Sequence, residues 1–383
     1  MIYNSTSACR VLYFIISAYM GLWIIRIPTI RDQISTDYIG IGYIYFIYAV
    51  GSITTMIFAT NLIKSFTSKK VILYGLILLG FIWLFVPFIN NLQIFLLISF
   101  ILGSCYGIFE IAINLQATQI EKNIKKSVMS SIHVFWSIGI LVGSIITSIF
   151  LQFKISFLIN IIFYLIIFIP ITFFSVGFLQ KDEVQKDTNK KNIFFIWPII
   201  LFLLVIISIS SSLAEGSVDS WGSLYMKDII NVTGFSVGIA SISFNIFMII
   251  GRLFGDKLRD NLGLYSFLVI LIFLNILGLL IIFYFSSIFS SIIGFAILGL
   301  GSSSIIPITY SLASKIKGVD STVAITIVSI VVYIFFILGP ASLGFIANIL
   351  VVNYIFIPII IFFLLSFLLI FIYKRKFLSL SNH

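Results

Sequence analysis

Residues 354–373 read YIFIPIIIFFLLSFLLIFIY, twenty consecutive residues without a charged side chain. The hydrocarbon core of a bilayer is about 30 Å thick, and a helix of about 20 apolar residues spans it. Because the apolar residues are continuous and do not alternate with polar ones, the run predicts a membrane-spanning helix and not a barrel strand.

The composition of the whole chain agrees with this stretch. Of 383 residues, 61% are hydrophobic and 9% are charged, against roughly 25% charged residues in an average soluble domain. The net charge of +10 does not indicate nucleic acid as a partner, because the basic residues lie in the short gaps between apolar runs. The composition therefore predicts an all-α membrane protein in contact with the lipid bilayer, and the two cysteines predict no disulfide framework.

Apolar segments of membrane-spanning length recur along the chain. They are residues 9–27, 38–63, 71–89, 93–117, 129–151, 156–178, 194–214, 236–254, 264–285, 288–313, 322–347 and 354–373. The charged stretch QKDEVQKDTNKKN separates six spans from six. We predict twelve transmembrane helices: an N-terminal six-helix bundle over 1–178, a cytoplasmic linker over 179–193 and a C-terminal six-helix bundle over 194–383.

Basic residues predict the orientation of the spans. If the N-terminus is cytoplasmic, 19 lysines and arginines fall in the inner segments and four in the outer segments. Short cytoplasmic loops carry an excess of basic residues in membrane proteins. We therefore expect both termini to be cytoplasmic in a multi-pass protein of the inner (plasma) membrane.

A carboxyl group within the fourth span is the first candidate functional residue. Gly103, Gly107, Glu110 and Asn114 follow helical spacing and share one face. The two glycines predict a close helix contact. A carboxyl group in the middle of a membrane is costly and usually faces a partner or a water-filled cavity. Glu110 is thus predicted to take and release a proton, and a paired structural glutamate is the alternative.

Two further spans carry titratable side chains. His133 lies near the predicted cytoplasmic end of the fifth span and is either a proton relay or a structural histidine. Glu215 and Asp219 share a face of the seventh span with several serines. They predict the lining of a polar vestibule near the outer end, and an interfacial belt is the alternative.

Polar residues on the first and eighth spans complete the candidate set. Asn245 aligns with Arg252 on one face of the eighth helix. Arg26 lies at the outer end of the first span. It is predicted either to anchor an anionic substrate or to snorkel to the headgroups, and snorkelling is the less costly interpretation.

The number and arrangement of the spans resemble the major facilitator superfamily of secondary transporters. The stretch GRLFGDKLRDNLG at 251–263 lies at the predicted inner turn between the eighth and ninth helices, where that superfamily carries a short Gly/Asp/basic signature. The resemblance implies a conformational gate formed by Gly251, Arg252, Asp256, Lys257 and Arg259. Arg252 and Asp256 are four residues apart, and we expect them to pair across one helical turn.

Four longer stretches are similar to one branch of that superfamily, the bacterial YbjJ-type and fucose-permease-like transporters. They are GLWIIRIPTIRDQI (21–34), EIAINLQATQIEK (110–122), SSIHVFWSIGILVGS (130–144) and AEGSVDSWGSLYMKD (214–228). The resemblance implies alternating access by rocking of two helical bundles around a central site, usually with proton coupling. Relatives often carry an acidic residue beside an asparagine at the position of Glu110 and Asn114.

The sequence as a whole therefore predicts a monomeric secondary transporter of a small polar solute, sugar-like or another small metabolite, driven by proton symport. Metal-spaced His and Cys residues, a phosphate-binding Gly-Lys-Ser/Thr loop and a nucleophile elbow are not found in the sequence. We accordingly expect no enzyme activity, no metal and no cofactor. Efflux of amphipathic compounds remains an alternative, as does a non-transporting receptor with a transporter fold or a membrane-embedded transferase.

Overall fold

The structure is a computed structural model that describes residues 2–124, 128–181, 197–316, 318–319 and 321–381. Side chains are described for these residues except at positions 2–4, 60, 130, 256, 321–322 and 379–381. Most of the predicted linker over 179–193 therefore lies outside the described residues, as does the side chain of Asp256.

The described residues form α-helices and three short 3-10 helices, and no strand occurs among them. The first six helices are α1 (Ile2–Gln33), α2 (Tyr38–Phe66), α3 (Ser68–Phe85), α4 (Leu92–Ile124), α5 (Met129–Gln152) and α6 (Phe157–Gly177). The others are α7 (Ile199–Asp228), α8 (Ile239–Leu262), α9 (Leu264–Tyr284), α10 (Ile288–Ser302), α11 (Ile305–Ala313), α12 (Ser321–Ile349), α13 (Phe356–Ile372) and α14 (Lys374–Ser381). The 3-10 helices are Val86–Phe88, Gly234–Gly238 and Val352–Ile355.

Twelve helical segments in the described part of the chain are long and apolar enough to cross a membrane. The prediction of twelve spans in an all-α membrane protein is confirmed. The tenth span consists of α10 and α11, which are separated at Ser303 and Ser304. Pro307 lies in the first turn of α11, where the missing N–H of a proline removes no intrahelical hydrogen bond.

Backbone contacts divide the chain into two compact units. One comprises Met1–Lys186 with Thr233–Gly238, and the other comprises Asp187–Val232 with Ile239–His383. In the first unit, α1 packs along α5 and α2 packs along α4. In the second unit, α10 packs against both α8 and α9, and α7 packs against α12 and α13.

The close contact predicted from the glycines of α4 is confirmed. A Cβ atom at Gly103 would clash with the carbonyl oxygen of Tyr48, and one at Gly107 would clash with that of Ser52. Both carbonyls belong to α2. The two backbones therefore approach more closely than any larger residue would allow, which increases the van der Waals contact that holds helices together in lipid.

Helix α7 forms the centre of the second unit and continues without a break to Asp228. Its serine hydroxyls bind neighbouring helices. Ser208 donates to Thr309 at 2.9 Å and Ser212 to the carbonyl oxygen of Val332 at 2.7 Å. Ser210 Oγ lies 2.8 Å from Ser366 Oγ. The serine-rich face of this span is therefore partly used for helix packing.

Candidate functional site

The first unit contains a buried cluster around Glu110, whose side chain is 1% exposed. The hydroxyl of Tyr13 on α1 donates to both carboxylate oxygens of Glu110, each at 3.0 Å. The side-chain amide of Asn114 donates to Glu110 Oε1 at 2.9 Å. His133 Nδ1 on α5 lies 3.4 Å from the same Tyr13 hydroxyl. Three of the predicted site residues, Glu110, Asn114 and His133, are thus brought together by a tyrosine from a different helix.

The apolar surroundings of this cluster follow from helix packing. The ring of Tyr13 contacts those of Phe109, His133 and Trp136, with centroid distances of 6.1, 5.1 and 5.4 Å. Hydrogen bonds and interactions between charges are stronger in such a low-dielectric environment than in water. The carboxyl group of Glu110, the phenol of Tyr13 and the imidazole of His133 lie next to one another. Each of these groups can hold or pass a proton.

Tyr13 was not among the residues selected from the sequence. Its spacing to Arg10 and Ser17 places all three on one face of α1. This polar stripe on the first span is the signal that could have identified it. Arg10 on the same stripe donates to the hydroxyl of Ser131 on α5, with its Nη2 at 2.8 Å.

The interpretation of Arg26 as a snorkelling side chain is wrong. Arg26 is only 3% exposed, and its Nε and Nη2 donate to Asn160 Oδ1 at 3.2 and 3.1 Å. The guanidinium also lies over the ring of Phe157, 4.8 Å from its centroid. The guanidinium is buried inside the unit, where it binds the polar side chain of Asn160 on α6. The sequence around Arg26 could not identify this partner.

The second unit holds a separate group of ionisable side chains. Arg252 on α8 lies within electrostatic range of Glu215 on α7, and Glu215 in turn lies within range of Asp219. Glu215 also interacts electrostatically with Tyr310 on α11. Asp219 is buried, and its Oδ1 has no hydrogen-bond partner among the described residues.

The two helices that carry these residues extend beyond the apolar runs that predicted them. Glu215 lies 13 residues before the end of α7, about 20 Å along the axis, because α7 continues to Asp228. Glu215 therefore lies well inside the helical segment of the seventh span. The stretch 251–263 is helical as far as Leu262 and is not a turn over its length, because α8 continues to that residue. The turn is formed by Gly263 alone, whose φ of +78° suits a residue without a Cβ.

The other residues of the predicted gate have different environments. Gly251 is buried, and a Cβ there would clash with Ser303 at the break between α10 and α11. The Nε of Arg252 donates to the carbonyl oxygen of Ser303 at 3.3 Å. Lys257 is exposed, and Arg259 pairs with the adjacent Asp260 at 3.1 Å. The expected pairing of Arg252 with Asp256 involves a side chain outside the described residues.

Asn245 is buried on α8 and bonds within its own helix. Its side-chain amide donates to the carbonyl oxygen of Ser241 at 3.0 Å.

Among the described residues, no group of three or more His, Cys, Asp or Glu side chains is placed to hold a metal ion. The groups present in the two clusters can hold or transfer protons and can bind polar or ionic partners.

Comparisons with known proteins agree on one family. The sequence model of the Major Facilitator Superfamily matches residues 11–227 and 204–381. Membrane protein MosC of Rhizobium meliloti is 25% identical over 341 residues, which cover 88% of this chain and 82% of that protein. An uncharacterized MFS-type transporter of Yersinia pestis is 24% identical over 340 residues, which cover 88% of each protein.

Solved structures share the fold. The crystal structure of the nucleoside transporter NupG superimposes with a TM-score of 0.68 and 17% identity, covering 98% of this chain and 99% of that one. A bacterial homolog of the human lysosomal transporter Spinster, inward-facing and occupied, has a TM-score of 0.71 and 10% identity. That match covers 98% of this chain and 97% of the other. At these identities the likeness concerns the fold alone.

Proposed function

The chain belongs to the major facilitator superfamily, and from this membership we propose that it is a proton-coupled secondary transporter moving a small polar solute by alternating access. Membership itself makes the chain a multi-pass membrane protein of transporter type with a small-molecule substrate. Proton coupling, the identity of the solute and the roles of individual residues belong to the proposal.

The contact between Tyr13 and Glu110 is the observation that carries the proposal. A buried carboxylate inside a membrane span is costly to maintain and is rare outside transport or relay pathways. Here the carboxylate accepts hydrogen bonds from Tyr13 and Asn114 on two helices, and Tyr13 also reaches His133 on a third. The arrangement links the charge on Glu110 to contacts among α1, α4 and α5.

Protonation of Glu110 would change these contacts directly. The carboxylate now accepts from the Tyr13 hydroxyl, whereas a carboxylic acid also carries a proton that it must donate. The Tyr13 hydroxyl would then be released toward His133 Nδ1, 3.4 Å away. A proton that binds one arrangement of three helices more tightly than another shifts the equilibrium between them. Such a shift is what coupling of proton binding to solute transport requires.

The ionisable group of the second unit is assigned to the solute. Glu215, Asp219 and Arg252 place acidic and basic side chains inside spans, and Asp219 Oδ1 lacks a hydrogen-bond partner among the described residues. A buried oxygen without a partner gains free energy when a donor reaches it. We assign Asn245 and Arg26 to supporting roles in polar binding, with Arg26 as the candidate for an anionic group of the solute.

The predicted gate is retained in a modified form. Arg252 bonds to Ser303 at the break between α10 and α11, so this arginine connects α8 to the interrupted tenth span. We assign Gly251, Arg252 and the charged end of α8, with Asp256, Lys257 and Arg259, to the control of conformational change. Breaking the Arg252 contact in one state and forming it in another would alter the rate of the cycle more than solute affinity.

Orientation, organisation and subfamily are part of the same proposal. The excess of basic residues in alternate gaps supports cytoplasmic termini. The transporter would act as a monomer built from two six-helix bundles over 1–178 and 194–383. The four stretches named above support membership of the YbjJ-type and fucose-permease-like branch.

Proton movement in liposomes tests the proposal. Full-length protein is reconstituted with the pH-sensitive dye pyranine inside, and single sugars, amino acids, organic acids and ammonium compounds are added outside. We expect one solute class to cause a pH change inside. The Glu110→Gln variant should lose this pH change while counterflow of the same solute persists.

A matched control is available on the same helix. Glu121 accepts from the backbone N–H groups of Val128 and Met129 at the start of α5, and a glutamine can still accept through its Oε1. The Glu121→Gln variant should therefore keep its proton movement. Equal proton movement in wild type and Glu110→Gln would refute the assignment of Glu110. Absence of counterflow for every solute would favour a non-transporting receptor.

A further inference from the structure

The second unit contains a polar group to which four helices each contribute one side chain. Glu215 on α7 lies within electrostatic range of Arg252 on α8 and of Tyr310 on α11. Tyr310 in turn forms a side-chain hydrogen bond with Ser329 on α12. These four residues, called the polar group below, are each half-buried. A solute can therefore reach them without any of the four helices having to unfold.

Glu215 is the accessible point on an otherwise covered length of helix. The structure describes every residue of α7 from Ile207 to Met226, and all of them except Glu215 are buried. The covering is formed by α8, α11, α12 and α13, which pack against α7. An acidic side chain is thus exposed where the apolar and serine side chains of the same helix are enclosed.

Two buried oxygen atoms without partners flank this accessible carboxyl group. Ser211 and Asp219 lie four residues before and four residues after Glu215, so all three share one face of α7. Ser211 Oγ and Asp219 Oδ1 have no hydrogen-bond partner among the described residues. By contrast, Ser208 and Ser212 bond to neighbouring helices. Because a buried polar atom without a partner costs free energy, this face gains stability when a polar ligand binds to it.

The side-chain types indicate which charges the ligand carries. A purely cationic solute would meet the guanidinium of Arg252, and a purely anionic solute would meet the acidic side chains of Glu215 and Asp219. Like charges placed together in a binding site are unfavourable, whereas hydrogen bonds to ionised partners are about twice as strong as neutral ones. A zwitterion presents an ammonium group to the carboxyl groups and an anionic group to the guanidinium. Because Glu215 and Arg252 lie within range of each other, the two groups of the solute must be close together.

We propose that the solute is a small zwitterion of the α-amino acid type, with its ammonium group bound by Glu215 and Asp219 and its carboxylate by Arg252. Ser303 accepts from the Nε of Arg252, one of the five N–H donors of a guanidinium, so the arginine can hold Ser303 and a carboxylate together. Arg26, the other arginine considered for an anionic group, is only 3% exposed and lies in the first unit. The inference rests on the proposed function in taking the second unit as the solute site.

Binding of amino acids to the purified full-length protein tests the inference. A tritiated mixture of the common amino acids is measured by scintillation proximity and competed with each amino acid singly. The amino acid that competes best is then compared with its amide, which lacks the carboxylate, and with its 2-hydroxy acid, which lacks the ammonium group. We expect both analogues to bind at least about tenfold more weakly, because each leaves buried polar groups unpaired. Equal affinity for the amino acid and its amide would overturn the inference, as would the absence of amino acid binding to folded protein.

Variants of the two binding partners assign the two ends of the ligand. Asp219→Asn should lower amino acid affinity about tenfold, because the ammonium group loses an ionic partner. Asp228→Asn makes the same exchange at the end of α7 and should leave the affinity unchanged.

Arg252→Gln should bring the affinities for the amino acid and its amide within about twofold of each other. Thermal unfolding of each unliganded variant shows whether it is folded. If Arg252→Gln does not fold, Arg252→Lys keeps the positive charge without the planar two-point contact and should reduce the same discrimination several-fold. Undiminished discrimination in a folded Arg252 variant would overturn the inference.

Flux measurements separate this inference from the proposed function. Amino acid binding that depends on Asp219 and Arg252, without counterflow of any solute, would refute the transporter proposal and leave the zwitterion site intact. Glu110-dependent proton movement with a sugar or an ammonium compound, together with no amino acid binding, would overturn the zwitterion site alone. Amino acid counterflow that is reduced in Asp219→Asn and unchanged in Asp228→Asn would support both.

Discussion

Replacement of Asn160 by aspartate tests whether Arg26 is a buried charge in need of a partner. Among the described residues, Arg26 forms no ion pair, and its hydrogen bonds go to the neutral Asn160 and to a backbone carbonyl. Asn160 Nδ2 is itself buried without a hydrogen-bond partner. The Asn160→Asp variant changes both features at once with almost no change in shape.

The expected magnitude follows from the two features. A buried donor without a partner costs about 1–3 kcal/mol, and the substitution removes that donor. Hydrogen bonds between ionised groups are roughly twice as strong as neutral ones. Burial of a new carboxylate opposes part of this gain, because the desolvation of a charge in a protein costs several kcal/mol. We expect Asn160→Asp to raise the free energy of unfolding by about 1–3 kcal/mol, within the range that these terms allow.

Unfolding in mixed micelles measures the effect, with sodium dodecyl sulfate as denaturant and helicity as the signal. Asn275 on α9 provides a matched control, because its Oδ1 accepts from Ser302 at 2.7 Å and its Nδ2 donates to the carbonyl oxygen of Leu271 at 2.8 Å. Asn275→Asp should lower the free energy of unfolding by about 1–3 kcal/mol, because an oxygen then faces that carbonyl. A loss of stability in Asn160→Asp equal to that in Asn275→Asp would refute the reasoning.

Two further predictions concern packing and orientation. Gly103→Leu should lower the free energy of unfolding by about 1–3 kcal/mol through its clash with Tyr48, whereas Gly177→Leu, with no neighbour within 4 Å of its Cβ, should change it little. Similar losses in both would contradict the close contact of α2 and α4. In a chain without native cysteines, Lys154→Cys should react with an impermeant maleimide in intact cells, and Lys374→Cys only after permeabilisation. The reverse pattern would place the termini outside.

Much of the fold could be predicted from local properties of the sequence. A span is recognised from the hydropathy of about 20 residues, and this requires no knowledge of the rest of the chain. Hydropathy does not give the end of a helix that continues past its apolar residues. Helices α7 and α8 extend to Asp228 and Leu262 through polar or charged residues. Backbone hydrogen bonding favours continuation of a helix even where hydropathy falls, so the predicted spans 194–214 and 236–254 ended before the helices do.

The candidate site was predicted only in part. Glu110, Asn114 and His133 were identified because each is unusual inside an apolar span. Tyr13 was missed because tyrosine is common in such spans, although the polar stripe that it forms with Arg10 and Ser17 could have identified it. The burial of Arg26 also depends on Asn160, which the sequence did not identify as its partner.

The sequence by itself determined the membrane spans, their number and the set of polar residues inside them, because burial in lipid acts on each segment separately. Only the tertiary structure decided which of these residues meet. Tyr13 and Glu110 are 97 residues apart, and Arg26 and Asn160 are 134 apart. Contacts of this kind arise from the packing of helices whose apolar surfaces are nearly interchangeable. The partners are therefore selected by shape, close glycine contacts and scarce polar groups, which act together only in the folded chain.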